Sequence, residues 1–110
     1  MDIASAVLHL NALAQESRLA VFRELVEAGP SGLNPGTLSE RLGIAQATLS
    51  FHLKELRHAG LIGLRQEGRN RYYSADFGAM RALVDFLTEN CCAGSPESCT
   101  ASTDTQENCR

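Results

Sequence analysis

The first ninety residues contain no cysteine; all four cysteines, Cys91, Cys92, Cys99 and Cys109, fall in the last twenty. Cysteine is ordinarily a core residue, so a body that avoids it and a polar tail that gathers it suggest chemistry in the tail. A secreted domain stapled by disulfides would spread its cysteines through the fold, and this placement argues against that class. The N-terminus has no basic segment leading into a long apolar one, so no secretory signal is expected. No apolar run approaches the ~18 residues that a membrane-spanning helix needs. The expected location is therefore the cytoplasm, where thiols stay reduced. There is no internal repeat, no glycine-rich phosphate loop and no nucleophile–base constellation. The three histidines and the carboxylates fall into no enzymatic motif, so neither an enzyme nor a small organic substrate is expected.

A surplus of positive charge is also missing: the net charge is −3. The distribution matters more than the total. Between Arg41 and Tyr73 lie six bases (Arg41, Lys54, Arg57, Arg65, Arg69, Arg71) against two acids, Glu55 and Glu67. From Asp85 onward there are five acids and one base. A basic middle and an acidic tail assign an anionic partner to the middle, with DNA the obvious candidate.

What is present reads as helices. Asp2 to Ala14 sets Ile3, Ala6, Val7, Leu10 and Leu13 at helical spacing, and Ser17 to Ala28 repeats the period with Leu19, Phe22, Leu25 and Val26. Gly29-Pro30 stops the second helix. His9 reads as a packing or surface residue. Asn34-Pro35 supplies an N-cap and a first-turn proline for a short helix, Pro35 to Leu42, that ends at Gly43. A further helix, Gln46 to Ala59, is closed by Gly60. Two helices joined by a short glycine-containing turn form a helix-turn-helix. In the second, Leu49, Leu53 and Leu56 make the buried stripe. That turns Ala47, Thr48, Phe51, Lys54 and Glu55 outward, with Gln46, Ser50 and His52 on the flanks.

Small polar side chains and a glutamine near a helix N-terminus suit base edges in a major groove. Gln46 is fitted to pair adenine, Thr48 and Ser50 to reach phosphates or bases, and Phe51 to touch a thymine methyl. Phe51 is the most telling of these, because a large outward aromatic beside a lysine needs a partner surface. Leu61 to Ser74 reads as a β-hairpin turning at Glu67-Gly68, with Arg65, Arg69 and Arg71 placed to hold phosphate or enter a minor groove. Asp76 caps a last helix carrying Phe77, Met80, Leu83, Val84 and Leu87, which runs to Asn90 and into Cys91-Cys92. The fold class is mainly α: about five helices and a two-stranded wing, a winged helix-turn-helix. Residues 1–90 form the DNA-binding domain and residues 91–110 a polar, cysteine-containing tail.

The segments "ESRLAVFREL", "LSERLGIAQATLSFHLKELRHAGLI" and "RQEGRNRYYS" resemble the ArsR family of bacterial metal- and metalloid-responsive winged-helix repressors. The resemblance runs from about Leu13 to Ser74. It implies a homodimer paired through the first and last helices and bound to a pseudo-palindromic operator in double-stranded DNA, with release when an inducer binds. Arsenic-responsive members are similar to one another in a Cys-x-Cys motif on the helix before the recognition helix; here "NPGTLSERLG" has no cysteine. Zinc-responsive members often carry Asp and His ligands on the last helix; here that helix has Asp85 and Glu89 but no histidine. Ala45 stands where relatives often have a capping serine.

The input is therefore expected in the tail. Cys91, Cys92 and Cys99 offer three soft thiolates without a histidine, a set suited to trivalent arsenic (arsenite) or antimony. Zinc prefers four ligands and Cys-x₂₋₄-Cys spacing, although Cys109 would supply a fourth donor for zinc, cadmium or lead. Cys109, next to the chain end, reads more simply as a spare thiol. Thiol–disulfide sensing is the remaining alternative. The negative end of the last helix and the acidic tail favour resting thiols over the thiolates that redox sensors usually present.

Overall fold

The computed structural model describes residues 1–94. The chain runs α1 (Ile3–Leu13), α2 (Glu16–Ala28), α3 (Pro35–Leu42), α4 (Gln46–His58), β1 (Ile62–Glu67), β2 (Asn70–Ala75) and α5 (Phe77–Leu87), followed by a short turn, Cys91–Gly94. Five helices and one antiparallel hairpin make a winged helix-turn-helix.

Side-chain caps fix most helix starts. Asp2, Gln15, Asn34 and Asp76 each accept a hydrogen bond from the backbone N–H three residues on, and Pro35 occupies the first turn of α3. Ala45, at the start of α4, makes no such bond. Gly43 ends α3 in the left-handed region at φ 66°, and the N–H groups of Gly43 and Ile44 both bond the Ser39 carbonyl. The Ser39 hydroxyl donates to the Ile44 carbonyl, which holds the turn between α3 and α4 closed.

The core is built on α4. Leu49, Leu53 and Leu56 are buried against Val21, Phe22 and Leu25 of α2, Leu38 of α3 and Leu61 and Ile62 at the wing's base. Burying these nine side chains at about 1.5–3 kcal/mol each is the main force seating α4. The wing pairs in register from Ile62↔Ala75 to Glu67↔Asn70 around a two-residue turn, with Gly68 at φ 63°. A bridge adds a third edge: Leu33 and Tyr73 exchange both backbone hydrogen bonds at 2.8 Å, tying the loop before α3 to β2. Gly32, at φ +76°, makes that approach possible, because a Cβ there would collide with the Tyr73 carbonyl.

Both ends of the described chain differ from the middle. The stripe on α1 is not covered: Ala6 is buried, but Ile3, Val7 and Leu10 are exposed, as are Leu8, Leu19, Val84 and Leu87. The last helix stops at Leu87, short of the expected Asn90. There the Thr88 hydroxyl donates to the Val84 carbonyl at 2.8 Å, and Asn90 turns to φ 57°. Cys91 and Cys92 therefore stand beyond the last turn of α5, where the helix dipole has little hold on them. No helix among the described residues is long and apolar enough to cross a membrane.

Candidate nucleic-acid interface

The exposed face of α4 follows from the leucine stripe that seats it. Gln46, Thr48, Ser50 and Lys54 are exposed, and Phe51 keeps 55% of its surface open. A phenylalanine so exposed in the middle of a helix loses solvation cost only when another surface meets it.

His52 is a correction. Expected on the flank of this face, it is 6% exposed, and its Nδ1 has no hydrogen-bond partner among the described residues. The reason is the width of the buried arc. Leu49, His52, Leu53, Leu56 and Ala59 are all buried and follow the full i, i+3, i+4, i+7 pattern, because α1 packs on the side of α4 opposite the wing. Burial, and secondarily the Arg18 guanidinium of α2, push the His52 pKa below its ordinary value. His52 is thus part of the packing that orients α4, with its ring edge-on to Phe51 at 5.9 Å.

The three wing arginines differ. Arg65 is committed within the protein: its Nε lies 2.9 Å from the Glu67 carboxylate, its Nη2 donates to the Ser31 carbonyl, and its guanidinium stands 4.9 Å over the Tyr72 ring. Arg69, in the turn, and Arg71, on β2, are exposed and enter no ion pair among the described residues. Between α4 and β2 lies a concavity of about 570 Å³ lined by Ser50, Lys54, Arg57, His58, Arg71 and Tyr73. Arg57 is one of the six bases of the middle segment, and His58 follows it directly. Their spacing from Ser50 and Lys54 places all four on one side of the helix, a signal legible in the sequence.

At the other end of the fold, the Sγ atoms of Cys91 and Cys92 lie 3.4 Å apart. Among the described residues, no three His, Cys, Asp or Glu side chains gather closely enough to hold a metal ion. Cys99 and Cys109 lie outside the described residues.

A helix-turn-helix domain model matches residues 13–65. The transcriptional activator HlyU of Vibrio cholerae is 36% identical over 84 residues, covering 76% of this chain and 75% of HlyU. The structure of reduced HlyU from that organism superposes with a TM-score of 0.63 at 33% identity, covering 81% of this chain and 90% of the other. A structure described as a possible transcriptional regulator for arsenical resistance is 28% identical, with a TM-score of 0.59 over 73% of this chain and 83% of its own. HlyU and the arsenical-resistance relative are both described as transcription regulators. With its sequence, its wing and its recognition helix all in agreement, the chain belongs to the ArsR/HlyU family of winged-helix, DNA-binding transcription regulators.

Proposed function

We propose that the protein is a homodimeric cytoplasmic repressor that leaves its operator when trivalent arsenic, or antimony, is bound by Cys91, Cys92 and Cys99. The observation that carries the reading is the pair of sulfurs 3.4 Å apart just beyond α5, close enough to share one thiophilic centre. Cys99 is the third donor by its distance along the chain, and trivalent arsenic asks for three thiolates. Cys109 is assigned no role. The relative described as a possible regulator for arsenical resistance adds support.

Dimerisation is supported by the apolar residues left open on α1 and α5: Ile3, Val7, Leu8, Leu10, Val84 and Leu87. A cavity of about 340 Å³ beside them, walled by Leu13, Leu19, Phe22 and Leu83, offers a partner's side chains a place to enter. The sulfurs lie next to that surface. Ligand capture would fix the chain after Leu87 and alter how two recognition helices are spaced, a coupling typically worth 5–150-fold in DNA affinity.

A thiol–disulfide reading draws on the same adjacent sulfurs of Cys91 and Cys92. The study of HlyU in a reduced form points the same way. HlyU is an activator, so the sign of regulation belongs to the same test.

DNA release by the reduced protein, measured against arsenite, antimonite, cadmium, lead, zinc and peroxide, separates these readings. Arsenite is expected to weaken DNA binding about 5–150-fold in the wild type and to lose that effect in Cys91→Ser, Cys92→Ser and Cys99→Ser. Arsenite release that survives all three substitutions overturns the site. Release by peroxide alone selects the thiol–disulfide reading.

A further inference from the structure

The concavity between α4 and β2 brings Arg57, a base with no particular task so far, together with two bases already placed toward DNA, Lys54 and Arg71. Its lining holds Lys54, Arg57 and Arg71, together with His58, Ser50 and Tyr73, and no carboxylate. Among the described residues these three cations are exposed and enter no ion pair or side-chain hydrogen bond. Four other bases are spoken for: Arg18 donates to the Ala12 carbonyl, Arg23 pairs with Glu27, Arg41 with Glu24 and Arg65 with Glu67. Three uncompensated cations around one hollow create a local positive potential that an anion must meet.

We propose that this hollow seats one phosphate of the DNA backbone, gripped by Arg57 from the recognition helix and by Arg71 from the wing, with Lys54 beside them. The inference rests on the DNA-binding function of the family and names residues that hold the duplex without reading it. Position selects backbone over bases. Ser50 belongs both to the hollow and to the exposed face that begins at Gln46. Arg57 stands seven residues beyond Ser50, about 10 Å along the helix at 1.5 Å per residue. A major groove is about 12 Å wide, so a helix whose first turns enter the groove brings its later turns onto the flanking phosphates. The floor is firm as well: Tyr73 is 7% exposed, and both its backbone groups are held by Leu33. Guanidinium groups grip phosphate oxygens through paired N–H donors, a contact that carries no sequence information.

The test uses the full chain and a random-sequence duplex about 30 base pairs long, with binding measured by fluorescence anisotropy across a salt series. Arg57→Gln and Arg71→Gln are each expected to weaken binding about tenfold and to reduce the slope of log affinity against log salt by about one. The double variant is expected to lose less than the product of the two single losses, because both side chains share one phosphate. Arg81→Gln, an exposed base on α5, should leave affinity and slope unchanged, and equal melting temperatures show that the variants are folded. An Arg57→Gln protein with wild-type affinity and slope overturns the seat while leaving DNA binding intact. Strict additivity in the double variant overturns the shared phosphate, and a wild type that binds no duplex overturns the seat and DNA binding together.

Discussion

His52 shows how much one side chain depends on the width of a helix's buried arc. The leucines alone drew that arc too narrow. Widening it by one position on the α1 side takes in His52 and Ala59 and turns a candidate DNA contact into a packing residue. The pH dependence follows from its burial. Folding holds the ring neutral below histidine's ordinary 6.5, so beneath that pH the unfolded chain binds a proton that the folded chain refuses. Stability is therefore full above about 6.5 and falls as the pH drops toward the lowered folded-state value. His52→Gln, neutral throughout, is expected to flatten the decline in melting temperature between neutral pH and pH 5. An identical decline in both proteins would place the effect elsewhere.

Among the elements, legibility followed local signals. The Asn34-Pro35 start of α3, its Gly43 end and the start of α4 at Gln46 stood as expected, because caps and breakers act within a few residues. The hairpin was likewise legible from its turn. The end of α5 was not: Gly94-Ser95-Pro96 advertised a stop, but the Thr88 hydroxyl and the left-handed Asn90 end the helix earlier. Nor did any spacing foretell the pairing of Leu33 with Tyr73, since a bridge between distant residues leaves no periodic trace. The uncapped start of α4 gives the prediction at this scale. Ala45 holds an extended conformation, φ −60° and ψ 144°, that a capping serine adopts without change. Ala45→Ser should stabilise the fold by about 1 kcal/mol, raising the melting temperature by roughly 4–8 °C. No gain would mean that another group already satisfies those N–H donors.

For the whole molecule, the chain has spent its apolar residues unevenly. α2, α3 and α4 bury most of theirs, while α1 and α5 leave Ile3, Val7, Leu8, Leu10, Val84 and Leu87 open. In sequence the apolar residues of α1 look like any other amphipathic stripe, so the surface they form was evident only from the resemblance to a dimeric family. If a second copy covers that surface, a charge placed in it should split the dimer. Val84→Glu is expected to sediment as a monomer and to bind operator DNA at least about a hundredfold more weakly, since each half-site is then held alone. A dimeric Val84→Glu protein would move the interface off α5.

The bridge between Leu33 and Tyr73 makes a ring of the chain. Residues 33 to 73 leave and return at one double hydrogen bond, and α3, α4 and β1 lie inside the circuit. The far end of the hairpin, around Gly68 and Arg69, is an appendage to that ring. Lengthening it adds no strain where the ring closes, because β1 and β2 pair across its base at Leu64↔Tyr73 and leave the tip out of the shorter circuit. Reach across the duplex and the seating of the recognition helix are thereby separable quantities. Insertions or substitutions at the wing tip can adjust how far the protein spans DNA while the helix that reads it keeps its place.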